Sequence, residues 1–341
     1  MSVLDMEEKY MRKKKMFLFC ALSLTLLLTA CSPSGSNTKT VVFADAGWDS
    51  IQIHNAVAGY VLEKGFGFEW SQVTGSTAIT YQALVDGEID VYMEVWTDNI
   101  APYYDDKASG SFDEYGINYD DNNQGFYVPR YVIEGDASRG IAASAPDLKT
   151  VADLKKYPHL FKDDENPSMG RVYGGIPGWA VDTILLNKFN FYNMDENFVY
   201  FRPGSDAALA SVLTAAYEKG EAIVGYYWEP TWLLAKYDFV LLEDAPYDAS
   251  TFENGETAFP AVKVTIAGRN GFKDEYPDAA AFLSKYRTSS ALNSSMLLHM
   301  QETKDNALDT AVWFLKENPE LLEAWLEADE LAKVSAALEK E

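Results

Sequence analysis

Apolar and polar positions along this chain switch between a period of two and a period near 3.6, and the switches predict a repeated strand–helix order. Thr40 to Ala44 is a short, β-rich run that predicts a strand. Asp49 or Ser50 then caps an amphipathic helix in which Ile51, His54, Val57, Ala58, Val61 and Leu62 recur at helical spacing until Gly65. Phe66, Phe68 and Trp70 alternate as a second strand. Ser76 caps a second helix through Ile79, Ala83 and Leu84, stopped by Gly87, and Ile89 to Val95 gives a third strand. Strands that alternate with helices in this way imply a parallel sheet with right-handed crossovers. The stretch 98–124 is acidic and rich in Tyr, Asp, Asn and Gly; it is expected to be a loop with little regular structure, long enough to carry a binding role.

The order then repeats. Phe126 to Val128 is extended, Tyr131 to Ile133 predicts a strand, Val151 to Lys156 a short helix, and Val172 to Ile176 a strand that runs into the turn Pro177-Gly178-Trp179. Val181, Ile184, Leu185 and Phe189 mark a helix, Phe198 to Phe201 a strand, and Ser205 or Asp206 caps a helix carrying Leu209, Val212 and Leu213. Ala222 to Tyr227 is a buried strand leading into Trp228. Two further strands, Val240 to Leu242 and Val262 to Ile266, precede a helical tail from Asp278, in which Pro319 restarts a helix. The expected organisation is a first lobe over 40–130, a second over 131–228, and a segment over 229–341 that returns to the first lobe and ends in helices.

Ahead of these elements, Arg12, Lys13, Lys14 and Lys15 precede an apolar run from Met16 to Leu28. That pattern predicts an export signal over residues 1–30, since the run is shorter than the about 20 residues of a membrane-spanning helix. Leu28-Thr29-Ala30-Cys31 resembles the lipobox of bacterial lipoproteins, which implies cleavage before Cys31, a lipid on its thiol, and a Ser/Pro/Gly tether over 31–39 outside the cytoplasm. With Cys20 inside the signal, the mature chain has no pair of cysteines to join, so packing alone holds the fold.

Composition narrows the function. Lys and Arg number 28 against 52 Asp and Glu, a net charge of −24, which excludes nucleic acid as a partner. His54, His159 and His299 are scattered without metal-ligand spacing. Gly65-Phe66-Gly67 is followed by Trp70 where a dinucleotide fingerprint requires glycine, and Asp136 stands where a nucleophile elbow around Ser138 requires one. No catalytic residue, metal or cofactor is therefore expected. Tryptophan placement is more informative. Trp70, Trp313 and Trp325 lie inside strand or helix patterns and are expected in the core, whereas Trp48, Trp96, Trp179 and Trp228 fall at turns that follow strands. In open α/β sheets ligands bind at those carboxyl edges. Several tryptophan faces around one space suit a large, weakly hydrated cation such as a quaternary ammonium.

These pieces, taken in order, carry a resemblance. Gly47-Trp48-Asp49, Met93-Glu94-Val95-Trp96, Asn118-Tyr119-Asp120-Asp121, Gln124-Gly125-Phe126-Tyr127-Val128-Pro129, Gly178-Trp179, Ser205-Asp206-Ala207-Ala208 and Tyr227-Trp228-Glu229-Pro230-Thr231-Trp232 resemble the glycine betaine substrate-binding proteins of ABC importers, over residues 40 to 330. The resemblance implies an α/β, two-lobe type II periplasmic-binding-protein fold with a ligand cleft between the lobes. It also implies a tryptophan box for the trimethylammonium group at Trp96, Trp179 and Trp228, and backbone amides of Ser50 and Ile51 that receive the ligand carboxylate. The second implication agrees with the anion affinity of helix N-termini. Trp48, Tyr227 and Thr231 are candidates for further ligand contacts, and Tyr226 and Tyr173 for extending the box. Thr231 departs from the pattern, since many relatives carry histidine there. The implied partners are a small quaternary ammonium ligand and an ABC permease with its ATPase; a ligand sensor or a secreted enzyme on the same scaffold are the alternatives.

Overall fold

The structure, a computed structural model, describes residues 39–341; the expected export signal and Cys31 lie outside the described residues. The chain first lays down β1 (Thr40–Asp45), β2 (Glu69–Thr74), β3 (Val91–Trp96) and β4 (Phe112–Tyr119). It continues with β5 (Gln124–Pro129), β6 (Gly170–Tyr173), β7 (Phe198–Phe201), β8 (Gly225–Trp228) and β9 (Phe239–Leu241), and returns with β10 (Val264–Arg269). Two five-stranded sheets result, ordered β2-β1-β3-β10-β4 and β7-β6-β8-β5-β9. In each, four strands run in one direction and one interior strand runs against them: β10 pairs antiparallel with β3 and β4, and β5 with β8 and β9. Every lobe therefore owes a central strand to a crossing between them. Asn122 joins the two crossing segments, its Nδ2 donating to the Val262 carbonyl at 2.6 Å and its Oδ1 accepting from the Val262 amide at 3.0 Å.

Sheet membership moves the expected lobe boundaries. Residues 124–129 and 239–241 belong to the second sheet, so the second lobe takes in strands that a division at 131 and 228 assigns elsewhere. The stretch 98–124 is not a loop either: it holds a helix, Tyr103–Ser109, and β4. β4 is an edge strand that pairs only with β10, about 150 residues away in the chain, and its half-exposed polar middle shows no apolar run. Tyr131 to Ile133 is helical, within Arg130–Glu134, where the turn is braced by Arg130 to Glu134 at 3.0 Å. Gly65 does not end the first helix, which widens into a π-turn over Leu62–Phe66 and stops at Gly67 in the left-handed region, φ 74°.

Two apolar clusters hold the lobes. One lies behind the first sheet, where Ile53, Val57 and Val61 of helix Asp49–Val61 meet Phe282, Phe314 and Trp325 from the C-terminal helices. Within it Tyr286 stacks on Trp325 at 4.4 Å, a pair worth about 1 kcal/mol beyond its buried area. The other cluster runs through the second lobe and across the cleft to β3 without a break. In the second lobe a buried lysine, Lys188, bonds Asp244 and the carbonyls of Gly255 and Thr257, pinning the segment after β9 to helix Ala180–Phe191.

Candidate functional site

The turn after β1 sets the first tryptophan. Gly47 adopts φ 91°, its amide donates to Asp45 Oδ1 at 3.0 Å, and Trp48 lands at the N-cap of helix Asp49–Val61 with extended backbone angles. The turn Ile176 to Trp179 does the same in the second lobe: Gly178 adopts φ 90°, and Trp179 is the N-cap of helix Ala180–Phe191. Trp96 and Trp228 end β3 and β8, the third parallel strand of each sheet. All four rings therefore reach the same end of the cleft. They line one cavity, together with Thr77, Tyr92, Asn99, Ile100, Ala180, Val181 and Tyr226. Trp179 stands edge-on to Trp48 at 5.6 Å and to Trp228 at 5.2 Å, and Tyr226 stacks against Trp228 at 5.8 Å. No residue lining this cavity is cationic.

The lobes are closed over it. The indole N–H of Trp179 donates across the cleft to the Ala46 carbonyl at 3.2 Å, and the side-chain amides of Asn99 and Gln124 bond each other at 3.2 Å while Gln124 Oε1 also accepts from the Tyr226 hydroxyl. Gly178 packs so closely on Ser76 that a Cβ there would lie 2.8 Å from the Ser76 Cβ.

Beneath Trp48 lies a buried carboxylate. Glu94 sits on fully buried β3, and its Oε2 accepts from Trp48 Nε1 at 2.6 Å and Ser50 Oγ at 3.0 Å. Its Oε1 lies 3.3 Å from His54 Nε2, whose Nδ1 meets the Tyr286 hydroxyl at 2.7 Å. Burial pushes the Glu94 carboxyl up to about 7, offset in part by the hydrogen bonds from Trp48 and Ser50, and pushes His54 down to about 3. Histidine is thus neutral around pH 7, and no buried cation balances Glu94 when it ionises. The carboxylate fixes the rotation of the Trp48 indole and supplies negative charge behind it.

Trp228 also walls a second, smaller cavity, with Asp49, Ser50, Asp206, Tyr227, Pro230, Thr231, Trp232 and Leu297. Asp206 opens helix Asp206–Lys219, whose N-cap Ser205 accepts from the Ala208 amide at 3.2 Å. Thr231 Oγ1 accepts from the Leu234 amide and caps the helix Trp232–Lys236.

Residues 39–317 match the family model described as the substrate binding domain of an ABC-type glycine betaine transport system. The chain belongs to this family. Among curated relatives, it is 23% identical over 198 residues to the glycine betaine-binding periplasmic protein OusX of Dickeya dadantii; the match covers 52% of this chain and 59% of that relative. Among solved structures, it is similar to the glycine betaine, L-proline-binding protein ProX of Borrelia burgdorferi, at TM-score 0.69 and 22% identity over 87% of this chain and all of that one. It is equally similar to an ABC-transporter choline-binding protein solved with choline, at TM-score 0.69 and 22% identity over 88% of this chain and 98% of that one. Lactococcal OpuAC, closed on glycine betaine, follows at TM-score 0.66 and 21% identity over 85% of this chain and all of that one. At these identities the structures establish the fold, a two-lobe type II periplasmic-binding-protein architecture.

Within this betaine-transport family fold, Trp96, Trp179 and Trp228, expected to form the box, and Trp48, expected as a further contact, all line one cavity. Ser50, Tyr227 and Thr231 gather instead on the smaller cavity, while Ile51 is fully buried and lines neither. Tyr226 lines the main cavity; Tyr173 lines neither of these two and lies under the Arg171 guanidinium at 5.7 Å. Sequence reasoning gave Glu94 no role and offered Asp206 only as a helix cap, although both stand in the quoted motifs, because burial and an approach across the cleft set their surroundings.

Proposed function

We propose that this chain is the solute-binding component of an ABC importer and captures glycine betaine or a related quaternary ammonium compound outside the cytoplasm. One observation carries the reading: Trp48 and Trp96 from one lobe and Trp179 and Trp228 from the other enclose a single cavity with no cationic side chain. A quaternary ammonium group has no N–H to offer, so hydrogen-bond acceptors do not select it. Aromatic faces do, each contributing about 0.5–2 kcal/mol once water is excluded. Ionised Glu94 behind Trp48 adds attraction for the same charge. Because the box is assembled from both lobes, ligand favours the closed form, and the permease reads closure as the loaded state. The family to which the chain belongs supports delivery to a permease and its ATPase. The lipobox resemblance supports a lipid anchor at Cys31, which mass spectrometry of the mature N-terminus tests.

The decisive experiment uses the uncharged isostere of glycine betaine, in which carbon replaces the ammonium nitrogen. It keeps shape and carboxylate but loses the charge that the ring faces attract. Calorimetry should show it binding far more weakly than glycine betaine; comparable affinities would remove the cation box.

A further inference from the structure

Behind Trp48, polar side chains from three elements form a line that runs away from the cleft into the core. Tyr286, at the C-cap of helix Pro277–Lys285, meets His54 Nδ1 at 2.7 Å, and its hydroxyl has no other hydrogen-bond partner among the described residues. His54, on helix Asp49–Val61, turns Nε2 toward Glu94 Oε1 at 3.3 Å; both atoms are sealed from water, and Nε2 has no other partner. Glu94 Oε2 accepts from Trp48 Nε1 at 2.6 Å and from Ser50 Oγ at 3.0 Å. Trp48 alone in this line reaches the main cavity.

The imidazole proton has two places to sit. On Nδ1 it points at the Tyr286 oxygen, and the tyrosine proton is then left in the core without an acceptor, a costly arrangement. On Nε2 it points at Glu94, Tyr286 donates to Nδ1, and every proton in the line is used. Burial and Glu94 hold the Tyr286 hydroxyl well above the ordinary tyrosine range, so it keeps the proton it donates, and burial keeps His54 neutral. The other titratable groups facing Glu94 are Tyr92 and Tyr119, both raised by burial and neutral; the Tyr119 hydroxyl is a further donor to the carboxylate, and no lysine or arginine pairs with it.

We propose that His54, held as its Nε2–H tautomer by Tyr286, is a positioning residue for the cation site: it keeps Glu94 ionised and seated behind the Trp48 indole. Two residues that never touch the ligand thereby set how strongly the box attracts a quaternary ammonium group, a role that rests on the tryptophan box as the cation site.

Tetramethylammonium, which has no titratable group, is the probe; its affinity is measured by calorimetry from about pH 5 to 9 beside that of glycine betaine. An ionised carboxylate attracts the cation, so affinity should rise with pH through the titration of Glu94, which burial places at about 7. Without the lock the carboxyl takes up a proton more readily. Tyr286→Phe and His54→Leu are each expected to move the midpoint up by about one pH unit and to weaken binding at pH 7 about threefold. His54→Gln, whose amide offers an N–H near the Nε2 position, should restore the wild-type midpoint. Burial also raises Asp206 and Asp49 beside the smaller cavity, so each variant is repeated with Glu94→Gln, where the shifts should vanish. Nitrogen-15 NMR of the wild-type His54 ring reads the tautomer without ligand, which keeps the test decisive if a variant does not fold. A proton on Nε2 is expected; a proton on Nδ1, a midpoint unmoved in the folded variants, or a shift that persists with Glu94→Gln overturns the inference. Binding with an unmoved midpoint removes only the positioning role. If neither ligand binds the wild type at any pH, the tryptophan box falls and the inference with it.

Discussion

The two lobes put tryptophan at the same two topological positions: the N-cap that follows the first parallel strand, Trp48 and Trp179, and the end of the third, Trp96 and Trp228. They differ in what holds those rings. Trp48 is fixed within its own lobe by Glu94 on β3, whereas the indole N–H of Trp179 is satisfied only by Ala46 of the opposite lobe. In the proposed cation site, one ring is thus held within its own lobe and the other across the cleft. The second helices differ in the opposite sense. Ser76 and Ser205 occupy matching N-caps, but Ser205 caps its helix while Ser76 makes no cap bond; the residues that follow, Thr77 and Asp206, face the larger and the smaller cavity respectively. The repeated topology thus holds matching residues by different partners in the two lobes.

Removing the ring held across the cleft should hurt most. Trp179→Ala deletes a face that touches both Trp48 and Trp228 and also the tie to Ala46, so binding of a quaternary ammonium ligand should weaken by about 2 kcal/mol or more, roughly 30-fold, by calorimetry. A loss under about fivefold would mean that the ring is only packing. Gly178→Ala tests the approach of the lobes directly. The new methyl meets Ser76 at 2.8 Å on a backbone at φ 90°, which costs about 1–2 kcal/mol of closed-state stability; small-angle scattering should show less compaction at saturating ligand, with partial recovery in Gly178→Ala/Ser76→Gly.

The ring held within its own lobe is best probed by pH. Glu94 has a folded pKa of about 7 against an ordinary 4.5, so it ionises less readily in the folded protein than in the unfolded chain. Its contribution favours folding fully below about 4.5 and is lost as pH rises through 7. Glu94→Gln removes that dependence. The stability difference between wild type and variant in urea should therefore drift against wild type by on the order of 1–3 kcal/mol between pH 4.5 and 8. A constant difference across that range would show that Glu94 does not titrate there. The smallest contrast lies at the paired caps. Ser205→Ala should cost about 1 kcal/mol in thermal or urea unfolding, and Ser76→Ala close to nothing, because only Ser205 accepts from an amide.

Much of this was legible in the chain because parallel strands and their crossover helices are local: β1 to β3 and β6 to β8 lie within short stretches whose periods alternate cleanly. The tryptophans were legible for the same reason, since a ring at the end of a strand is placed by topology alone. The exchanged strands were not. β5 and β10 pair with strands about 100 and 170 residues away in the chain, and β4 has no apolar pattern because it lies at an edge. Glu94 and Asp206 stayed silent since nothing in an acidic chain separates a sealed carboxylate from a solvated one; what distinguishes them is the indole on one and the opposing helix start by the other.

Asn122 gives the molecule its mechanics. Two independent strands passing between two rigid bodies permit bending, shear and twist, but a side-chain amide that both donates to and accepts from Val262 makes them a single pin. Shear would slide one strand along the other and break both bonds together, while rotation about the pin leaves them intact. A hinge of this kind favours one coordinate of opening, along which the four indoles of the proposed site would separate and meet again in one arrangement.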